Sequence, residues 1–280
     1  MKIILNKIYF HPLFIFTLFV FISIGYFRFI TYFMLLILVH ELGHILVSLI
    51  FKWNIDKIII LPFGGLTKYN ENINRPLIEE FLIAISGIIF QIVFYMLINN
   101  YIDYKYFNII NYFIIIFNLI PIYPLDGSKI LNIFFNVVTS YKNSLLLTII
   151  ISYIFIIIFS LLFFNINKLI TFVLIFLLLE VNKLYKKRKE LFNKFLLERY
   201  LNEFKFKKKK TINNIDKMKK DYRHLFYIDE KYLTEKYFLK KMFDIKGNLW
   251  YYFKRVGPHS TTTQRRFQTQ MCTLMVSLSK

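Results

Sequence analysis

The sequence predicts an all-α polytopic membrane protein with about six transmembrane helices. A membrane-dipping hairpin loop and a small cytosolic α/β C-terminal region complete the expected fold. Three observations carry that expectation. Apolar runs approaching the ~20 residues that cross a bilayer recur through the first two thirds of the chain. Charge is sorted along it: residues up to Asn182 hold 11 Lys/Arg and 8 Asp/Glu, and those from Lys183 onward hold 26 and 9. The loops between the apolar runs also differ in basicity from one side to the other.

The six runs span roughly Pro12–Phe27, Ile30–Phe51, Leu77–Ile98, Phe107–Ile120, Asn143–Phe164 and Leu169–Val181. The first follows two lysines, as a signal peptide would, but no small-residue cleavage site follows it, so it reads as a retained anchor. With the N-terminus inside, the inner face receives Lys2, Lys7, Lys52, Lys57, Lys68, Arg75, Lys129 and Lys142, and the opposite face only Arg28, Lys105 and Lys168. That asymmetry and an even number of spans put both termini in the cytoplasm. Between the second and third runs, the β-branched stretch Ile58–Leu61 meets Pro62, Gly64 and Gly65. Such a pattern suits a hairpin at the interface, where protein or a wet cavity must satisfy its backbone.

Beyond the last run, Lys183–Tyr200 places Leu184, Leu191, Phe195 and Leu196 near helical spacing, as in an amphipathic juxtamembrane helix. Five lysines in Lys205–Lys210 read as a solvated linker near anionic headgroups, with no direct nucleic-acid contact expected. Thr211–Phe243 suits a small folded unit. From about Pro258 the composition turns to Thr, Gln, Ser and Arg, as in a disordered tail. Cys272 is the single cysteine, which excludes an intramolecular disulfide and a multi-cysteine metal site.

Chemistry enters inside the second run. His40 and His44, four residues apart on a helix, lie on one face and can share a metal ion. Glu41 stands about 100° around the same helix, able to reach a metal-bound water without being a ligand. H-E-x-x-H in this form is a metalloprotease signature. An ionisable group at a bilayer centre costs roughly 2.5–3.5 kcal/mol and points to function.

A catalytic zinc takes three protein ligands and leaves one position open. Glu79, Glu80 and Glu180 lie at run ends, and Asp56 and Asp103 in ordinary loops. Asp126 is different. It sits in "FNLIPIYPLDGSKIL", where Pro121, Pro124 and Gly127 interrupt an apolar sequence. Proline breaks a helix, and broken helices at membrane depth line cavities, so this segment can hold a carboxylate beside a wet pocket. The competing reading makes Asp126 a cap on the helix that follows.

His40-Glu41-Leu-Gly-His44 with Asn118-Leu-Ile-Pro-Ile-Tyr-Pro124-Leu-Asp126-Gly127 resembles the site-2 protease family of intramembrane metalloproteases. Within that family it resembles the stage IV sporulation protein FB branch, as do Leu61–Leu66, Arg75–Phe81 and Phe195–Tyr200. The resemblance implies one zinc ion per chain on His40, His44 and Asp126, with Glu41 as the catalytic acid–base. It places Asn118, Gly64, Gly65 and Pro124 at the substrate. It also implies a membrane-associated substrate, a sporulation sigma-factor precursor, inhibitory membrane proteins as partners, and a location in the membrane surrounding a forespore. The branch carries a cytosolic CBS-type domain that senses ATP; here only "YRHLFYID" is faintly similar. Ser128 and Ile88 depart from the branch, which usually has glycine and proline there.

The domains expected are a transmembrane metalloprotease domain over 1–182, a basic juxtamembrane helix with a small, degenerate CBS-like region over 183–257, and the tail over 258–280. An inactive membrane scaffold or regulator of the same fold and a metal or ion transporter are the alternatives. The intact motif argues against the first. The lone glutamate beside His40, with no second intramembrane acid cluster, argues against the second.

Overall fold

The computed structural model describes residues 7–245 apart from 62–63, 103–104, 164–167, 205, 207 and 229, so the tail expected over 258–280 lies outside the described residues. Strand β1 (Ile8–Phe10) precedes helices α1 (Pro12–Ser23) and α2 (Phe27–Ile50). Proline at the first position of α1 loses no helical hydrogen bond there. Strands β2 (Ile55–Leu61) and β3 (Gly64–Tyr69) follow, then α3 (Leu77–Ile98), whose first turn carries Glu79 and Glu80. α4 (Phe107–Leu119) stops where Ile120 turns extended ahead of Pro121, as the residue before a proline tends to do. α5 (Asp126–Val138), α6 (Tyr141–Phe163) and the long α7 (Lys168–Leu201) complete the helical part.

Among the described residues, Phe27–Ile50, Leu77–Tyr101 and Tyr141–Phe163 are long and apolar enough to cross a bilayer, while Phe14–Ser23 and Phe107–Leu119 are shorter apolar helices. The sixth expected run opens α7, which continues without a break to Leu201. No glycine or proline interrupts that stretch, so the boundary expected at residue 182 falls inside one helix. Leu38, Leu42 and Leu49 on α2 and Ile150, Ile154, Ile157 and Leu161 on α6 are exposed, forming faces suited to acyl chains.

α2 is the organising element. Ile30, Phe33, Leu36 and Ile37 pack on Phe107, Ile110 and Ile114 of α4. Further along, Ile45 packs on Ile55 and Ile58 of β2. Small residues let α3 come close, and Leu77 and Ala84 of α3 meet Ile133 of α5. The hairpin expected between α2 and α3 is present, but it belongs to a three-stranded sheet. β1 pairs parallel with β2 and β2 antiparallel with β3, so Ile8, Ile58 and Thr67 form one row across the strands. A three-residue strand that pairs fifty residues away leaves no local periodicity to read.

A second sheet joins β4 (Lys208–Ile212) parallel to β5 (Tyr222–Ile228) and β5 antiparallel to β6 (Lys231–Thr234). Arg199, at the end of α7, ties it to the helices. Its guanidinium donates to Asn74 Oδ1, to the Tyr222 carbonyl at 2.8 Å and to the Lys219 carbonyl at 3.0 Å. Burial brings that side chain's pKa down to about 10. Lys220 pairs with Glu80 of α3. The last helix, α8, covers Glu235–Ile245.

Candidate metal centre

His40, Glu41 and His44 lie in the second half of α2, all buried. One helical turn brings both imidazoles to the same side, and α3 makes room for them. A Cβ on Gly87 would stand 2.5 Å from His44 Nε2 and 2.7 Å from His40 Nε2. Only glycine leaves that space.

Each ring is held from behind. Gln91 uses its amide N–H groups on the Asn111 carbonyl and Oδ1, at 3.2 and 3.0 Å. Its oxygen is thereby turned to accept from His40 Nδ1 at 3.0 Å. His44 Nδ1 donates to the Ile83 carbonyl at 2.7 Å, since a carbonyl only accepts. With both Nδ1 atoms protonated, both Nε2 lone pairs face inward.

What they face is Asp126, the first residue of α5. Its Oδ2 lies 2.9 Å from each Nε2, and the two nitrogens are 3.2 Å apart. Lys129, one turn on, donates to the other oxygen, Oδ1, at 2.8 Å. The proline-broken segment thus delivers its carboxylate to the histidine pair, where the cap reading would have left it turned to its own helix. Of the other acids weighed from the sequence, Asp103 lies outside the described residues, and the three glutamates are engaged elsewhere. Glu79 accepts from Trp53 Nε1 at 2.8 Å, Glu80 pairs with Lys220, and Glu180 with Lys183.

The donor set fits zinc. Bonds of 2.0–2.1 Å to tetrahedral ligands separate the ligand atoms by about 3.3 Å, close to the 2.9–3.2 Å found here. Among the described residues, His40, His44 and Asp126 form the one group of such side chains able to share an ion. Three ligands leave the fourth position for water or substrate.

Around this group stand the remaining sequence candidates. A Cβ on Gly65 would overlap the Glu41 carboxyl carbon, at 2.2 Å. Asn118 is buried and bonds back to the Ile114 carbonyl at 3.0 Å, with its Oδ1 turned toward Gly64. Pro124 is buried in the break before α5, and Ser128 donates to the Leu125 carbonyl at 2.7 Å. Glu41 thus meets the hairpin, and Asn118 Oδ1 lies on the side of Gly64.

Residues 28–103 match the model of a family described as Peptidase family M50. Stage IV sporulation protein FB of Bacillus subtilis (strain 168) is 32% identical over 205 residues, covering 69% of this chain and 71% of that protein. The chain belongs to peptidase family M50, the site-2 proteases. Zinc metalloprotease MJ0392 of Methanocaldococcus jannaschii is 34% identical over 104 residues, 34% of this chain and 30% of that one. The solved site-2 protease from Methanocaldococcus jannaschii shares the fold, with a TM-score of 0.51 at 24% identity over 63% of this chain and 89% of that one. M50 membership and the apolar helices support an integral membrane metalloprotease.

Four residues around the M50 site were not singled out from sequence. Gln91 and Asn111 orient a ring from two other helices, and Lys129 holds the second oxygen of Asp126. Thr67 donates to Glu41 Oε2 at 3.0 Å. Only Lys129 had a local signal, three residues after Asp126 on the same helical face.

Proposed function

We propose that this protein hydrolyses a peptide bond in a membrane-associated protein, and that its substrate is the precursor of a sporulation sigma factor. The carrying observation is the convergence of two ring-oriented Nε2 atoms and one Asp126 oxygen inside an apolar bundle, with Glu41 one residue from the first ligand. His40, His44 and Asp126 would hold zinc, which when bound acidifies a water and polarises the scissile carbonyl. Glu41 takes a proton from the attacking water and returns it to the leaving amine. The surrounding helices exclude bulk water from this exchange.

A substrate helix hides its own backbone, so it must unwind to reach Glu41. β3 is the outer strand of the order β1-β2-β3, and an extended segment can add to such an edge. Asn118 and Gly64 stand where that segment would run, which supports the substrate role proposed for them. The multi-pass arrangement with both termini in the cytoplasm belongs to the same reading. The sporulation substrate rests on the relation to stage IV sporulation protein FB.

Co-expression with a membrane-tethered sigma-factor precursor tests this. The parent should cleave it, and Glu41→Gln should lose about 100-fold or more of the rate while retaining zinc. Equal cleavage by both would remove Glu41 from the mechanism. Binding of zinc by neither would remove the metal centre.

A further inference from the structure

The β2–β3 hairpin meets Glu41 through two residues on one face of a strand. Gly65 and Thr67 are two apart on β3, so both look the same way. At Gly65 there is no room for a side chain, because a Cβ would come within 2.2–2.5 Å of the Glu41 carboxyl atoms, Oε1 among them. At Thr67 there is a hydroxyl, buried and 3.0 Å from Oε2. A carboxylate accepts only, so the hydroxyl donates. Among the described residues, Thr67 is the one side-chain hydrogen-bond partner of Glu41.

We propose that Thr67 is the positioning residue of the general base: its hydroxyl fixes Oε2 of Glu41, while Gly65, lacking a side chain, leaves room for the rest of the carboxylate. This rests on the protease reading and deepens it. Glu41 is buried within a candidate span, where a carboxylate without a donor is costly. On its flexible side chain it would otherwise turn among several rotamers. Thr67 is stiff at χ1, and its backbone is locked in the row Ile8–Ile58–Thr67, with Ile58 packed against Ile45 on the turn of α2 after Glu41. The sheet thereby acts as a fixed template for a side chain on a neighbouring helix. Serving as a base requires the acceptor within reach of the proton it takes, and a loosely held acceptor forfeits much of that advantage.

The test uses purified, zinc-loaded full-length protein in lipid vesicles, with a membrane-tethered sigma-factor precursor as substrate. Thr67→Val keeps shape and branching but removes the donor, and Thr67→Ser keeps the donor. The Val variant should lose about tenfold or more in kcat, with KM within about twofold and zinc content unchanged. The Ser variant should stay within about threefold of the parent. Where the Val variant does not hold zinc, Thr67→Ala takes its place in the same comparison. A Val variant as fast as the parent, a loss that falls on KM, or an equal loss in Val and Ser would each overturn the assignment. A parent no more active than Glu41→Gln would overturn the protease reading itself, and the role of Thr67 with it.

Discussion

Gly87→Ala forces the two imidazoles to move, and the structure sets how far. The new methyl carbon would lie 2.5 Å from His44 Nε2 and 2.7 Å from His40 Nε2. An ordinary contact needs about 3.5 Å or more, so something must shift by about 1 Å. The rings cannot swing freely, because Gln91 and the Ile83 carbonyl hold them from the same helix that carries the methyl. Metal sites tolerate errors of about 0.2 Å in ligand position. Overpacking of this kind costs about 1–3 kcal/mol. Taken from metal binding alone, that is a loss of roughly 5- to 150-fold in affinity. Competition between purified protein and a zinc chelator of known affinity measures it directly. Alanine favours helix over glycine by about 1 kcal/mol, so weaker binding would not reflect a weaker α3. A Gly87→Ala protein with unchanged helix content and zinc affinity within twofold of the parent would refute the packing of these rings.

Two further outcomes follow from the same contacts. Gln91→Leu removes the acceptor behind His40 and should weaken zinc binding by about 10- to 100-fold, whereas Gln91→Glu, which keeps an acceptor, should lose less; the same chelator titration reads both. Glu235 is held below the usual carboxylate range: burial pulls it up, but the His224 bonds and the Arg199 charge outweigh that. Its contribution to stability is therefore present above an unfolded carboxylate pKa of about 4.3 and fades as pH falls toward the lower folded value. In thermal melts Glu235→Gln should unfold earlier than the parent at pH 7, with the gap closing below about pH 4; a gap independent of pH would contradict the ion pair.

Legibility in the sequence followed the range of the interaction. His40, Glu41 and His44 declared themselves because helical spacing is local. Asp126 was reachable because two prolines mark the break that carries it and its rivals sit at run ends. β1 was hidden, since its partner lies fifty residues on and three residues show no period. Gln91 and Asn111 look like ordinary polar residues in apolar helices until packing sets them behind a ring. Thr67 reads as an ordinary polar residue after the glycines until strand pairing sets it, with Gly65, over a glutamate. The extent of α7 was legible in hindsight, through its lack of any glycine or proline.

His44 and Asp126 are separated by 82 positions in the chain, and both rings are held by α3 in between. A ribosome elongating at about 5–20 residues per second takes roughly 4 to 16 s to cover that distance. Throughout that interval the newborn polypeptide carries a histidine pair without Asp126, and part of the time without Ile83 or Gln91 either. On the proposed mechanism, peptide-cutting capacity would therefore arrive all at once, with insertion of the segment after Pro124, and a truncated translation product ending before it would be inert toward its membrane neighbours.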